Sequence, residues 1–237
     1  MTQDWLFDFG NTRLKCAPLG ADGAPGAVRA FAPSEFEALP SGDIAFVASV
    51  AAENARVQLV DALSRRFRRI AIARTSPTLD RLRIAYPNPA KLGVDRYLAM
   101  AGARDAWPAL VVGVGTGLTI DLVDGDGRHQ GGRIAPSPTL MREMLHARAT
   151  QLPPIGGTYA EFANDTEDAL VSGCEGAAVA LIERSLAEAA RQLGATPRLL
   201  LHGGGAEPLR AHLPAAEPCP TLVLEGLAHW AHLERGA

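Results

Sequence analysis

The sequence has 237 residues, 47% of them hydrophobic and 21% charged, with a formal net charge of -3. This balance is typical of a globular protein with a sizeable core, and the lack of a basic block argues against a nucleic-acid binder. No run of about 18 apolar residues is present for a membrane span.

The three cysteines form no CxxC pair. The first residues, MTQDWLFDFGN, lack the basic segment followed by an apolar stretch that is typical of a signal peptide. Scattered cysteines are typical of reduced thiols, so we expect a cytoplasmic protein.

The first half alternates short apolar runs with helical patterns. A Gly10-Asn11 turn between alternating apolar residues predicts a hairpin over residues 4–19, followed by a Gly/Pro-rich loop at 20–28. Further along, the patterns predict strands at 44–50 and 70–73 and helices at 53–67 and 95–106.

The second half opens with the same strand, tight turn, strand pattern. Apolar runs predict strands at 109–114, 118–123 and 128–134. Later elements are helices at 139–150 and 166–193, strands at 199–201 and 221–225, and a final helix.

The hairpin Asp8–Lys15 is echoed by Gly113–Asp121, roughly one small domain further along. Alternating strands and helices predict an α/β protein of two duplicated domains, residues 1–106 and 107–237. A glycine-rich turn in each half predicts a ligand cleft between them.

The stretch Asp8-Phe9-Gly10-Asn11-Thr12-Arg13-Leu14-Lys15 has the residue types of a phosphate loop. Glycine permits close backbone approach, and turn amides, the Asn11 amide and the Thr12 hydroxyl can donate to phosphate oxygens. Asp8 can hold Mg²⁺ through its water shell, and Lys15 offers a compact positive charge. The alternative is an ordinary hairpin.

A second stretch, Gly115-Thr116-Gly117-Leu118-Thr119-Ile120-Asp121, offers similar donors. Two such turns facing each other would hold a polyphosphate from both sides. Taken alone, the stretch fits a glycine-rich β-turn equally well.

Asp95 and Arg96 begin the helix predicted at 95–106. A fixed carboxylate is what a base needs in order to deprotonate an alcohol for phosphoryl transfer, and Arg96 can pair with a substrate carboxylate. The competing interpretation of Asp95 is a helix N-cap, although one residue can serve both purposes.

Two further polar stretches have simpler explanations. Residues 164–168 fit a capping cluster before a long helix, and His202-Gly203-Gly204-Gly205 fits a strand-to-helix turn that could also line a nucleotide. The sequence contains no GxxxxGK[ST] loop, no GxGxxG, no GxSxG and no HExxH.

The ordered set of motifs resembles the type III pantothenate kinases, also called Bvg-accessory-factor-like proteins, over nearly the whole chain. The motifs are Asp8-x-Gly10-Asn11-Thr12-x-x-Lys15, Tyr86 with Gly93-Val94-Asp95-Arg96, Gly115-Thr116-x-x-Thr119-x-Asp121, Gly131-Gly132-x-Ile134-x-Pro136, Thr166 with Ser172-Gly173, and Gly203-Gly204.

The resemblance implies the acetate and sugar kinase/Hsp70/actin fold, with ATP between two actin-like ATPase domains. It implies ATP-dependent phosphorylation of pantothenate to 4'-phosphopantothenate, the first step of coenzyme A biosynthesis. It also implies a homodimer that needs Mg²⁺ and a monovalent cation, K⁺ or NH₄⁺.

The resemblance also assigns residue roles. ATP would be bound by Asp8, Phe9, Gly10, Asn11, Thr12, Arg13, Leu14, Lys15 and Thr116. Pantothenate would be bound by Tyr86, Gly93, Val94, Asp95, Arg96 and Thr166, with Asp95 as the catalytic proton acceptor.

Two positions depart from the family pattern. Gly113 stands where the family has an aspartate that helps to bind the monovalent cation, and Ser137 stands where the family has glycine after Pro136. Gly113 motivates the alternative of a non-catalytic nucleotide-binding regulatory protein. A kinase for another small alcohol is the other alternative, because the fold alone permits it.

Overall fold

The computed structural model describes residues 3–236. The strands are β1 (Trp5–Phe9), β2 (Leu14–Pro18), β3 (Arg29–Phe31), β4 (Gly42–Ser49), β5 (Phe67–Ile72), β6 (Thr78–Leu79), β7 (Leu82–Arg83), β8 (Ala109–Val114), β9 (Gly117–Val123), β10 (His129–Pro136), β11 (Arg198–His202) and β12 (Ala216–Pro218). The helices are α1 (Glu53–Ser64), α2 (Val94–Gly102), α3 (Pro138–Arg148), α4 (Thr166–Leu193), α5 (Glu207–Arg210) and α6 (Leu222–Gly236).

Two five-stranded sheets share one topology. Their strand orders are β3-β2-β1-β4-β5 and β10-β9-β8-β11-β12. In each sheet the central strand pairs antiparallel with the next strand of the chain and parallel with a later one: β1 with β2 and β4, β8 with β9 and β11. The predicted α/β class and the internal duplication are confirmed.

The chain divides into two compact units. Within the described residues, the first unit comprises 3–105, 126–129 and 221–236, and the second comprises 106–125 and 130–220. These units differ from the predicted domains chiefly in the last helix, which belongs to the first unit. The division into functional domains at 106 and 107 stays a prediction.

Each sheet buries its own apolar core. In the first unit Phe7, Phe9 and Leu14 of the hairpin pack with Val47 and Leu59. In the second unit α4 packs against β8 and β9 through Ala178 and Ile182, which are fully buried. Because both hairpins are anchored by buried side chains, the turns at their ends have fixed positions.

Two predicted elements were placed or typed wrongly. The helix predicted at 53–67 ends at Ser64, since Phe67 begins β5 and is buried in the sheet core. The strand predicted at 221–225 is wrong, because these residues open α6. Its buried residues Leu224, Leu227, Ala228 and Ala231 recur at helical spacing, which decides for a helix over a strand. The short outer strands β3 and β12 were not predicted.

Helix α6 lies directly against α2 in the first unit because two glycines remove side chains from the crossing. A Cβ added at Gly102 would lie 2.2 Å from the carbonyl oxygen of Leu222, and one added at Gly226 would lie 1.9 Å from that of Leu98. Only glycine permits such backbone contact. Helix α6 therefore helps to hold α2, which carries Asp95 and Arg96 at its start.

We expect Gly226→Ala to lower the free energy of unfolding by about 1–3 kcal/mol or more, because the new methyl group forces the two helices apart. The matched control is Gly173→Ala in the middle of α4, where an added Cβ meets nothing within 4 Å. That change should instead stabilise the protein by about 0.5–1 kcal/mol. Urea denaturation of both variants distinguishes the two, and equal effects would contradict the helix contact.

Between residues 3 and 236, none of the helices combines the length and the apolar character that a membrane crossing requires.

Candidate functional site

The first glycine turn joins β1 to β2 as the sequence predicted. Asp8 lies opposite Lys15 in the antiparallel pair, and the Gly10 amide closes the turn by donating to the Arg13 carbonyl at 3.2 Å. Asn11, Thr12 and Arg13 are exposed at the tip, whereas Phe9 and Leu14 are buried. The turn thus presents polar side chains on a rigid base.

Asp8 has an electrostatic environment unlike that of a surface carboxylate. Burial raises the pKa of Asp8 from 3.8 to about 6; the nearby Asp95 charge also raises this pKa, while Lys15 lowers it. Asp8, Lys15 and Asp95 therefore lie within electrostatic reach of one another. The structure brings two motifs that are far apart in the sequence to one place in the first unit.

The raised pKa makes stability depend on pH. A partly buried carboxyl whose folded-state pKa exceeds its unfolded value stabilises the fold at low pH, and this contribution is lost as pH rises from about 4 through 6. We therefore expect the free energy of unfolding of Asp8→Asn, relative to that of the parent, to be higher at pH 7.5 than at pH 4, by up to about 3 kcal/mol. Urea denaturation at both pH values measures this difference.

The control is Asp105→Asn, which changes a side chain that is 88% exposed. The free energy of unfolding of Asp105→Asn should differ from that of the parent by the same amount at both pH values. Parallel pH profiles for Asp8→Asn and the parent would mean that Asp8 titrates normally.

Asp95 lies in the first turn of α2, with Gly93 as the N-cap residue. The Asp95 Oδ1 atom accepts from the Arg96 amide at 2.9 Å, so the carboxylate does contact the helix start. A Cβ at Gly93 would come within 2.6 Å of that oxygen. A side chain at position 93 would therefore displace this carboxylate oxygen.

Arg96 is buried, with 6% of its surface exposed. Its Nη1 atom donates to the Tyr86 hydroxyl at 3.3 Å, and its guanidinium lies 5.9 Å from the centre of the Tyr86 ring. The other partner of Tyr86 is His129, which stacks on it at 6.0 Å with an interplanar angle of 9°. Arg96 is thus held beside Asp95 by an aromatic support.

His129 was missed by sequence reasoning. It lies in the short segment 126–129 that belongs to the first unit, and its Nδ1 atom accepts from the Ala85 amide at 3.3 Å. No motif or metal spacing marks this histidine. Its position follows from a long-range pairing of the chain near Arg83, which no local pattern reveals.

Thr116 lies in the second unit, at the turn between β8 and β9. The turn is closed by the Gly115 amide, which donates to the Gly117 carbonyl at 2.9 Å, and Thr116 is exposed. Gly113, two residues earlier, is buried within β8. The second turn therefore repeats the form of the first, with a glycine rather than a carboxylate in the strand.

Thr166 also belongs to the second unit, as the first residue of α4. Asp165 caps the helix by accepting from the Asp168 amide at 2.9 Å, which confirms the predicted capping cluster. An open cavity of about 520 Å³ lies at this helix start. Its lining residues are Leu152, Ala163, Asn164, Asp165, Thr166, Ala169 and Leu170.

Comparison with known proteins gives consistent matches in sequence. The family model of the type III pantothenate kinases matches residues 5–188. The chain is 57% identical to a type III pantothenate kinase from Xanthomonas campestris (strain B100), covering 96% of this chain and 97% of that protein. It is 58% identical to one from Stenotrophomonas maltophilia (strain K279a), with the same coverage.

Solved structures share the fold at low sequence identity. A protein from Campylobacter jejuni described as a Baf family transcriptional activator superposes with a TM-score of 0.67 at 19% identity, covering 98% of this chain and 100% of that one. A ROK family glucokinase from Streptomyces griseus gives 0.50 at 13% identity, covering 99% and 100%. The predicted sugar kinase and actin type of fold is thereby confirmed.

Proposed function

The chain belongs to the type III pantothenate kinase family, and on that premise we propose that it phosphorylates pantothenate with ATP. The product is 4'-phosphopantothenate, the first intermediate on the route to coenzyme A. The observation that supports this most directly is that Asp8, in the glycine hairpin, lies within electrostatic reach of Asp95 at the start of α2. A phosphate-binding turn and a carboxylate base are what the reaction needs in one place.

In the proposed reaction the primary hydroxyl of pantothenate attacks the γ-phosphorus of ATP. A bond forms between that oxygen and phosphorus, the bond to the bridging oxygen of the β-phosphate breaks, and ADP leaves with the electron pair. The hydroxyl proton passes to the Asp95 carboxylate. Lys15 and the donors of the two turns, Asn11, Thr12 and Thr116, stabilise charge on the transferring group.

The residues of the first hairpin fit a magnesium ion that arrives with ATP. Asp8 has hard carboxylate oxygens, which Mg²⁺ prefers as ligands. Burial and the neighbouring carboxylate of Asp95 raise the pKa of Asp8, and the positive charge of a divalent cation would offset both effects. In the part of the chain that the structure describes, no three His, Cys, Asp or Glu side chains cluster as a metal site. Asp8 would hold Mg²⁺ through water, and the ion would neutralise phosphate charge.

The position of Gly113 does not fit a side-chain ligand for K⁺ or NH₄⁺. Gly113 has only backbone oxygen to offer, and a Cβ there would lie 2.8 Å from the Thr119 hydroxyl and 2.9 Å from His202 Nε2. We therefore assign no monovalent cation to this position. Adding K⁺ to the assay below tests this assignment.

The residues proposed to bind pantothenate are Tyr86, Gly93, Val94, Asp95 and Arg96 in the first unit, and Thr166 is the residue proposed for this role in the second unit. Arg96 would bind the substrate carboxylate, since its planar guanidinium suits a carboxylate and Tyr86 orients it. Hydroxyl and carboxylate of pantothenate would then lie beside two consecutive residues, Asp95 and Arg96.

We further propose a cytoplasmic homodimer. Exposed apolar side chains are typical of a surface that binds another protein. The second unit exposes several large ones: Ile134 (69%), Met144 (54%), Ile155 (78%) and Phe162 (99%). Light scattering of the purified protein should give twice the chain mass. A monomer over the whole micromolar range would rule out the dimer.

A coupled ADP-release assay with pantothenate tests the function. We expect ADP release that depends on pantothenate, with and without K⁺, and little release with sugars or other small alcohols. Release with another alcohol alone would indicate a different kinase. Binding of ATP without pantothenate-dependent release would indicate a nucleotide-binding regulatory protein.

A further inference from the structure

The imidazole of His202 lies directly over Gly113 in the second unit. β11 runs parallel to β8, and His202 is the register partner of Gly113 at the carboxyl ends of both strands. A Cβ at Gly113 would lie 2.9 Å from His202 Nε2 and 3.0 Å from its Cε1. The imidazole therefore occupies the space into which a side chain at position 113 would project.

The segment after His202 is fixed against the same strand end. Gly203 has a φ of +96°, and a Cβ there would lie 2.3 Å from the Val114 carbonyl oxygen. The Gly205 amide donates to that oxygen at 2.9 Å. Since both flanks of His202 are tied to β8, the imidazole keeps a constant place beside the turn at 115–117.

The polar groups around Gly113 are of the types that bind an anionic oxygen. A Cβ at Gly113 would also lie 2.8 Å from the Thr119 hydroxyl, which donates to the Gly113 carbonyl at a long 3.5 Å, so an imidazole and a hydroxyl lie on either side of this position next to a glycine turn. His202 is half-buried, so part of its surface is accessible. Ligands of α/β sheets bind at the carboxyl ends of the strands, and imidazole and hydroxyl donors suit an anionic oxygen.

We propose that His202 is a phosphate-contacting residue of the nucleotide site, and that position 113 is glycine because the imidazole takes its space. The inference rests on the proposed kinase function, since it assigns a residue to the ATP site of that reaction. It gives the His202-Gly-Gly-Gly segment a side-chain role as well as a backbone one.

The first test is the steady-state kinetics of His202→Ala. The apparent KM for ATP should rise about 10- to 100-fold, the range expected for one lost hydrogen bond to a charged group. The KM for pantothenate should stay within about twofold. His232→Ala, an exposed histidine of α6, is the matched control and should leave both constants unchanged. An unchanged KM for ATP in His202→Ala overturns the proposal.

A double-mutant cycle tests the pairing with Gly113. Gly113→Ala should raise the KM for ATP by displacing the imidazole, but it should add nothing once the imidazole is gone. The variant Gly113→Ala/His202→Ala should therefore match His202→Ala alone, whereas additive effects contradict the pairing. If His202→Ala does not fold, His202→Gln, with a polar side chain of similar length, takes its place in the cycle.

Calorimetric titration with MgADP separates this inference from the kinase proposal. If the parent releases no ADP with pantothenate, the kinase function fails, yet MgADP affinity still reports on His202. Weaker MgADP binding by His202→Ala than by His232→Ala, with equal melting temperatures, supports the contact. Equal affinities, or a loss that follows a lowered melting temperature in every variant, reject it.

Discussion

Asp95→Asn is expected to lower turnover by about 10²- to 10⁴-fold, the usual contribution of a positioned general base. The amide cannot accept the hydroxyl proton of the substrate. Its oxygen can still accept from the Arg96 amide, as Oδ1 of Asp95 does at 2.9 Å, so the start of α2 should keep its structure. The ADP-release assay measures the loss of turnover, and the melting temperature shows whether the variant keeps its fold.

The structure assigns the N-cap position of α2 to Gly93, so the predicted N-cap role of Asp95 is wrong in that form. If the carboxylate served only to accept from the Arg96 amide in the first turn, asparagine would replace it with little loss, because its amide oxygen can accept the same hydrogen bond. Asp105→Asn is the control, since Asp105 is exposed and lies outside the proposed site. Full turnover in Asp95→Asn would remove this residue from the mechanism, whatever the melting temperature.

Local patterns predicted the parts of the fold that depend on neighbours in sequence. Glycine turns between alternating apolar residues gave both hairpins, and their similarity gave the duplication that the two sheet orders confirm. Long periodic segments such as α4 (Thr166–Leu193) were also predicted with their observed bounds.

The final helix shows why other parts could not be predicted. Residues 221–225 form an apolar run that fits a strand or a buried helix, and periodicity over so few residues cannot separate them. What decides is the crossing of α6 with α2 at Gly102 and Gly226, which are far apart in sequence. The glycines look unremarkable until the partner backbone is known.

The candidate site likewise has features that local sequence patterns predict and features that depend on tertiary contacts. Sequence reasoning predicted site residues of the types that phosphoryl transfer requires, Asp8, Lys15, Asp95 and Arg96 among them, and their roles stay a prediction. It could not give the burial of Asp8 and its electrostatic interaction with Asp95, both of which raise the pKa of Asp8, nor the stacking of His129 on Tyr86. Both are tertiary contacts between segments whose local patterns carry no record of each other.

The second large effect is expected at Arg96, where lysine should raise the KM for pantothenate about 100-fold or more. Lysine keeps the positive charge but is a point donor, whereas guanidinium can bind a carboxylate through two parallel hydrogen bonds. Arg96 is 6% exposed, so water compensates poorly for a lost partner. The KM for ATP should change little.

Tyr86→Phe is the matched comparison for Arg96→Lys. It removes only the hydroxyl that accepts from Arg96 Nη1 at 3.3 Å and leaves the stacked ring, so the KM for pantothenate should rise no more than about tenfold. A substrate analogue with a carboxamide in place of the carboxylate completes the cycle. The parent should discriminate against this analogue more strongly than Arg96→Lys does, because lysine keeps the charge but has already lost the paired hydrogen bonds. Equal discrimination by both proteins would show that Arg96 binds some other part of the substrate.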